Sequence, residues 1–230
     1  MKVDYLSPGK IEGAALTLLA EYQRKFPSAT LLPVPVDDIV DCHLELDFGF
    51  ANLIGELGVP DVLGALWMNE RKVQIDQSLD PTNFPAQEGR YHFTVAHECG
   101  HWILHRRYFL DKAAQPSLFG GEAEPSIVCR SSQKKKPVEW QADTFASYLL
   151  MPKEQVFAVW QEKHGSLEPY YAAEEIAGLT ARWSVADGSI PTVRVAKEMA
   201  QIFKVSGQAM QIRLNSLGLI QTSNEQSILV

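Results

Sequence analysis

The string His97-Glu98-Cys99-Gly100-His101 constrains this chain more than any other feature, because it lies inside an unbroken helical pattern from about residue 89 to 109. On an α-helix, positions four apart are separated by ~6 Å along the axis and ~40° around it. His97 and His101 therefore leave the same side and can reach one ion through imidazole nitrogens, at about 2.0–2.1 Å. Glu98 stands ~100° from His97 and ~60° from His101. It flanks such an ion without displacing a histidine, where it can take a proton from a bound water. That is the mechanical content of the H-E-x-x-H pattern.

Two histidines do not hold an ion tightly, and a catalytic zinc site has three protein ligands plus water. The next predicted helix supplies a third in Glu139, within Glu139-Trp140-Gln141-Ala142-Asp143. Asp143 follows one turn later on the same face, placed to accept a hydrogen bond from the far nitrogen of a histidine and fix its tautomer. Histidines on a helix are also ordinary surface or core residues, so the companions matter. Gly100 allows close approach of a neighbouring element, and Thr94 and His105 add polar groups to the same stripe. His105, ~12 Å along the axis from His97, is too far to share the ion. Support of a ligand, contact with substrate and plain burial all remain open for it. Cys99 faces away from the ligand side, and Cys129, which could be reactive beside Arg130, reads more readily as structural, as do Trp102, Trp140, Phe145 and Tyr148. Two histidines and a carboxylate suit Zn2+ best, with Mn2+ or another first-row divalent ion as alternatives.

Around this centre the chain reads as α+β. Apolar residues at three- and four-residue spacing predict a helix over 10–26, and a short helix starts near Asp37. Alternation predicts a strand over 44–48 and a hairpin of 63–68 with 72–76 across the turn Asn69-Glu70-Arg71. The hairpin's second strand, with an exposed edge, is the expected place for an extended substrate. Residues 111–137 read as a loop with a strand near 127–129 and a solvated Lys134-Lys135-Lys136. Further helices are predicted over 138–151, which stops before Pro152, and over 153–163.

Length and composition set the frame. The 230 residues, with 46% hydrophobic and 21% charged, suit one mid-sized domain with an appendage. The expected division is 1–152, a helical insertion over 153–190, and a small unit over 191–230. A net charge of −7 argues against a chain held to nucleic acid by bulk electrostatics. No run of 18 apolar residues is present, so no membrane partner is expected. Three sparse cysteines fit reduced thiols in a cytoplasmic protein.

The string from Phe93 to His105, Phe-Thr-Val-Ala-His-Glu-Cys-Gly-His-Trp-Ile-Leu-His, resembles the signature of the ImmA/IrrE metallopeptidase family. Residues 139–152, from Glu139-Trp140-Gln141-Ala142-Asp143 to the Leu150-Met151-Pro152 ending, resemble its second motif, and 33–39 are similar in type and position. The resemblance implies a zincin-like fold with a small mixed or antiparallel sheet, metal held by His97, His101 and Glu139, and Glu98 as base. It also implies a regulatory zinc peptidase that inactivates a helix-turn-helix transcriptional repressor, in stress response or control of a mobile element. The long 101–139 loop and the 154–190 segment depart from the family pattern at the substrate cleft.

The C-terminal part carries its own signal. Residues 193–203 and 207–217 read as two helices, with Ser206 as N-cap of the second and Gly218 ending it. The segment resembles a helix-turn-helix unit, with Lys204 where glycine would ease the turn. Arg194, Lys204 and Arg213 are its candidate DNA contacts, although its positive balance is thin and protein docking is the stronger use. Two rival functions follow: a DNA-associated regulator with a non-catalytic metal site, and a stoichiometric repressor-binding partner.

Overall fold

The apolar stripe near the N-terminus folds as helix α1 (Pro8–Lys25), which buries Ile11, Ala15, Leu18, Leu19 and Tyr22. Pro8 sits in the first turn, where its missing N–H is not needed, and Arg24 and Lys25 close the last turn against the helix dipole. The computed structural model describes residues 3–110, 124–131, 136–183 and 190–221. They fall in two units, residues 1–150 and 151–230.

In the first unit a short helix α2 (Val36–Asp38) runs into a π-turn over Ile39–His43. The strand expected over 44–48 starts only at Asp47, as β1 (Asp47–Ala51). The alternation misled because Leu44 N–H still bonds Ile39 O, and Glu45 adopts φ 55. Arg71 locks that corner by donating to Leu44 O at 2.7 Å and Glu45 O at 3.2 Å. A helix with no counterpart in the sequence reading, α3 (Leu53–Leu57), follows. Asn52 caps it by accepting from Gly55 N–H, and Gly58, at φ 62, ends it.

The hairpin forms as predicted, from β2 (Val62–Trp67) and β3 (Lys72–Asp76), with Gly64 opposite Ile75 and Trp67 opposite Lys72. The long helix α4 (Glu88–Leu110) comes next, then β4 (Ile127–Arg130) and α5 (Pro137–Leu150). The sheet is mixed, in the order β1-β3-β2-β4, with β1 parallel to β3 and the other pairs antiparallel. This corrects the expected substrate edge. Lys72–Asp76 is an interior strand, its main chain paired on both sides, because β1 returns to cover it. Among the described residues, β4 ends the sheet on the side of β2. Residues 134 and 135 of the lysine triplet lie outside the described residues, as does most of the predicted loop over 111–137.

The second unit contains α6 (Lys153–His164), β5 (Tyr170–Tyr171), α7 (Ala173–Trp183), α8 (Arg194–Phe203), α9 (Gly207–Ser216) and β6 (Ile220–Gln221). β5 and β6 pair in parallel, which ties the expected insertion to the C-terminal helices. Lys204 takes the left-handed conformation between α8 and α9, at φ 54, and Ser206 caps α9 by accepting from Ala209 N–H at 3.1 Å. The three residues expected to touch DNA do not form a common set. Arg213 is only 4% exposed and donates from Nε to Met151 O at 3.0 Å, so its guanidinium is a packing group. Arg194 is exposed but bonded to Glu198 at 2.6 Å. No helix among the described residues is long and apolar enough to cross a membrane.

Candidate metal centre

Helices α4 and α5 bring the candidate residues together, and Gly100 is why they come so close. A Cβ there would meet Phe145 Cδ1 at 3.1 Å and Ala142 O at 3.2 Å. At that separation His97 Nε2 lies 2.9 Å from His101 Nε2 and 3.2 Å from Glu139 Oε2, while His101 Nε2 lies 3.5 Å from the same oxygen. His97 and His101 are buried, and Glu139 keeps 14% of its side chain exposed.

For neutral rings, the surrounding hydrogen bonds assign the nitrogens that carry protons. Asp143 Oδ1 lies 2.9 Å from His97 Nδ1, and a carboxylate only accepts, so Nδ1 is the protonated nitrogen. Behind His101 runs a chain that starts at the N-terminal segment. Gln141 donates from Nε2 to Asp4 O at 2.9 Å, which turns its Oε1 toward His105 Nε2 at 3.0 Å. His105 then donates from Nε2 and accepts at Nδ1, 3.1 Å from His101 Nδ1. His101 is the donor there, so its proton also sits on Nδ1. Both neutral imidazoles are thus left with bare Nε2 lone pairs, facing each other and a carboxylate oxygen. Three acceptors converging within 3.5 Å repel one another unless a cation or proton lies among them. The donor set fits a divalent metal ion.

Electrostatics is consistent with a cation among these acceptors, since without one His97 takes up a proton while His101 stays neutral. Burial drives the His101 pKa down to about 4, keeping that ring neutral. Burial also pulls His97 down, but the neighbouring Cys129, Asp143 and Glu139 outweigh it and hold it well above the usual histidine value. Burial would raise Glu139, yet the adjoining His101 and His97 rings outweigh it and keep it below the carboxylate range and ionised. Glu98 is the opposite case. With no exposed surface, it is pushed up to about 8 by burial, and neither carboxylate oxygen has a hydrogen-bond partner among the described residues.

A cleft of about 260 Å³ opens onto His97, Glu139 and Asp143, with Arg90, Cys129 and Ser131 on its walls. Thr94 lines it too, its hydroxyl donating to Arg90 O at 2.9 Å. The sequence reading leaves out Arg90 and prefers a structural role for Cys129 over a reactive one. An arginine two turns before His97 falls on the ligand side of the helix, which was a usable signal. For Cys129 the neighbouring Arg130 hints at reactivity but not at a place in the cleft, since the face a short strand presents depends on a register that pairing with β2 decides. Cys99 is fully buried away from the cleft, as expected, with its thiol pKa raised by burial.

No curated protein matches the chain. The sequence profile of the IrrE N-terminal-like domain matches residues 85–215, from just before α4 through nearly all of α9 and more than half of the chain. The chain therefore belongs to the IrrE N-terminal-like domain family, and with it to the metallopeptidases of the ImmA/IrrE type.

Proposed function

We propose that this chain is a cytoplasmic zinc-dependent endopeptidase, with His97, His101 and Glu139 as metal ligands and Glu98 as general base, whose substrate is a helix-turn-helix transcriptional repressor. The convergence of two bare Nε2 lone pairs on Glu139 carries the metal part of this reading. Family membership supports the peptidase part, and the three free cysteines suit a reducing compartment.

Bound by these residues, zinc would supply Lewis acidity toward the scissile carbonyl and a water activated at neutral pH. The chain's own residues do the rest. Asp143 and His105 hold the two imidazoles in their Nδ1–H tautomers, so both Nε2 atoms stay free to ligate. Glu98, secluded from solvent beside His97, takes the proton of the attacking water and passes it to the leaving amine. The end strand β4 borders the cleft through Cys129, Arg130 and Ser131. Its outer edge replaces the hairpin strand as the place where an extended substrate would add by main-chain pairing. Such a substrate must be locally unfolded at the cut.

Arg90 gives the cleft a positive rim, suited to an acidic side chain near the scissile bond. A DNA-associated regulator is the weaker reading, because Arg213 is buried. Protein docking remains the proposed use of the C-terminal helix-turn-helix-like unit.

The test is elemental analysis of protein purified without added metal, followed by incubation with excess purified repressor. Near one zinc per chain, lost in Glu139→Ala, together with sub-stoichiometric conversion of repressor that stops in Glu98→Gln, is the expected result. Full turnover by Glu98→Gln, or a chain that takes up no metal when zinc is supplied, would overturn it.

A further inference from the structure

The three cysteines sit in different settings: Cys42 is exposed, Cys99 is buried within α4, and Cys129 is buried on β4. Cys129 has company. Its Sγ, a nitrogen of His97 and a carboxylate oxygen of Glu98 all lie within 4.8 Å of one another, and all three residues are buried. The second observation is independent of the thiol. Both oxygens of Glu98 lack hydrogen-bond partners among the described residues although the side chain is wholly enclosed. Two buried acceptors left open in this way are costly and favour a cation. The space is kept clear from the sheet side as well. Cys129 pairs across the β2–β4 ladder with Gly64, and a Cβ on Gly64 would come within 2.8 Å of Glu98 Oε1.

We propose that His97, Glu98 and Cys129 form a second metal position, selective for a thiophilic divalent ion such as Cd2+, and that an ion held there silences the peptidase. The silencing part rests on the proposed function above; the binding part does not. His97 belongs both to this set and to the set with His101 and Glu139, and the two differ in ligand softness. A thiolate prefers soft ions, whereas imidazole and carboxylate suit zinc. On binding, the Cys129 S–H bond breaks, an S–metal bond forms and the proton leaves to the buffer. Glu98, engaged by the ion, then has no free oxygen pair to take a proton from water, and His97 is drawn away from its partners.

The experiment titrates Cd2+ into zinc-loaded chain carrying Cys42→Ser, which removes the exposed thiol. It reads the ultraviolet thiolate-to-cadmium absorption and, after gel filtration, the zinc and cadmium content. One band equivalent per chain is expected, retained when Cys99→Ser is added and abolished by Cys129→Ser. A band that survives Cys129→Ser, or none in the Cys42→Ser chain, would overturn the proposal. Should Cys129→Ser unfold, alkylation of the Cys42→Ser chain decides instead: Cd2+ must protect Cys129 from iodoacetamide, as read by peptide mass, and undiminished labelling overturns it. A band in a chain that took up no zinc before cadmium was added would uphold this position and remove the peptidase reading. Zinc without a band would do the reverse.

Discussion

Gly64 lies directly against Glu98, so that a methyl group on its Cα would stand 2.8 Å from Glu98 Oε1 and 3.0 Å from Thr94 Cγ2. The sheet register slips between Val62 and Gly64 at this point, where β2 passes over α4. Glycine here is a condition for the carboxylate's position rather than for a turn. Gly64→Ala should displace Glu98 while leaving His97, His101 and Glu139 in place. Misplacing a proton-transfer group by an ångström costs up to ~100-fold in rate. We expect kcat to fall ten-fold or more with metal content unchanged, as measured by cleavage of the proposed repressor substrate beside elemental analysis. An unchanged kcat would mean that Glu98 adjusts freely or is not the base.

Among the described residues, Asp143 touches the centre through His97, at 2.9 Å from Nδ1. Removing such a partner lets the ring turn and take its other tautomer, which typically lowers metal affinity ~10–100-fold. Asp143→Ala should therefore weaken zinc binding by that amount in a chelator competition, and Asp143→Asn should recover part of it through its amide oxygen. Equal affinities in all three proteins would show that His97 is oriented by packing alone.

These positions explain how much was legible in the sequence. His97, His101, Glu139 and Asp143 lie on two long helices, and a helix converts residue spacing into direction without reference to the rest of the fold. The sheet was harder. Its elements could be read, but which strand lies inside depends on long-range pairing. β1 closes over β3 by a parallel contact, Asp47 to Lys72, that no local pattern announces. The place of Cys129 beside the centre is hidden for the same reason, since its pairing with Gly64 turns it toward α4. Arg213 failed differently. Its place on α9 was readable, but a charged side chain that spends its donors on a buried backbone carbonyl looks, in sequence, like one facing solvent.

Gly100 offers a stability test. A methyl there would press on Phe145 Cδ1 at 3.1 Å and on the Ala142 carbonyl at 3.2 Å, and backbone cannot rotate aside as a side chain can. Alanine gains ~1 kcal/mol of helix propensity over glycine, while overpacking a tight interface costs ~1–3 kcal/mol. The contact should win, so Gly100→Ala is expected to lower the unfolding temperature by several degrees. Because α4 and α5 carry opposite sides of the donor set, zinc affinity should fall in the same protein. A higher unfolding temperature would mean that the two helices can separate at little cost.

The last prediction concerns pH in the chelated, metal-free protein. Burial raises Glu98 from 4.5 to about 8 in the folded chain. A carboxyl raised in this way binds its proton more tightly folded than unfolded. Its contribution is complete below pH ~4.3, the unfolded value, and is lost as pH climbs through the folded value near 8. Unpartnered oxygens with no exposed surface make the loss large, on the order of several kcal/mol at one pKa unit per ~1.4 kcal/mol. The amide introduced by Glu98→Gln stays neutral throughout, so this variant should match or trail the parent at pH 5 and exceed its unfolding temperature at pH 8. Denaturation midpoints of both proteins across that range measure the difference. A constant gap between the two would mean that Glu98 already ionises freely in the folded chain, with water or a neighbouring group meeting its charge.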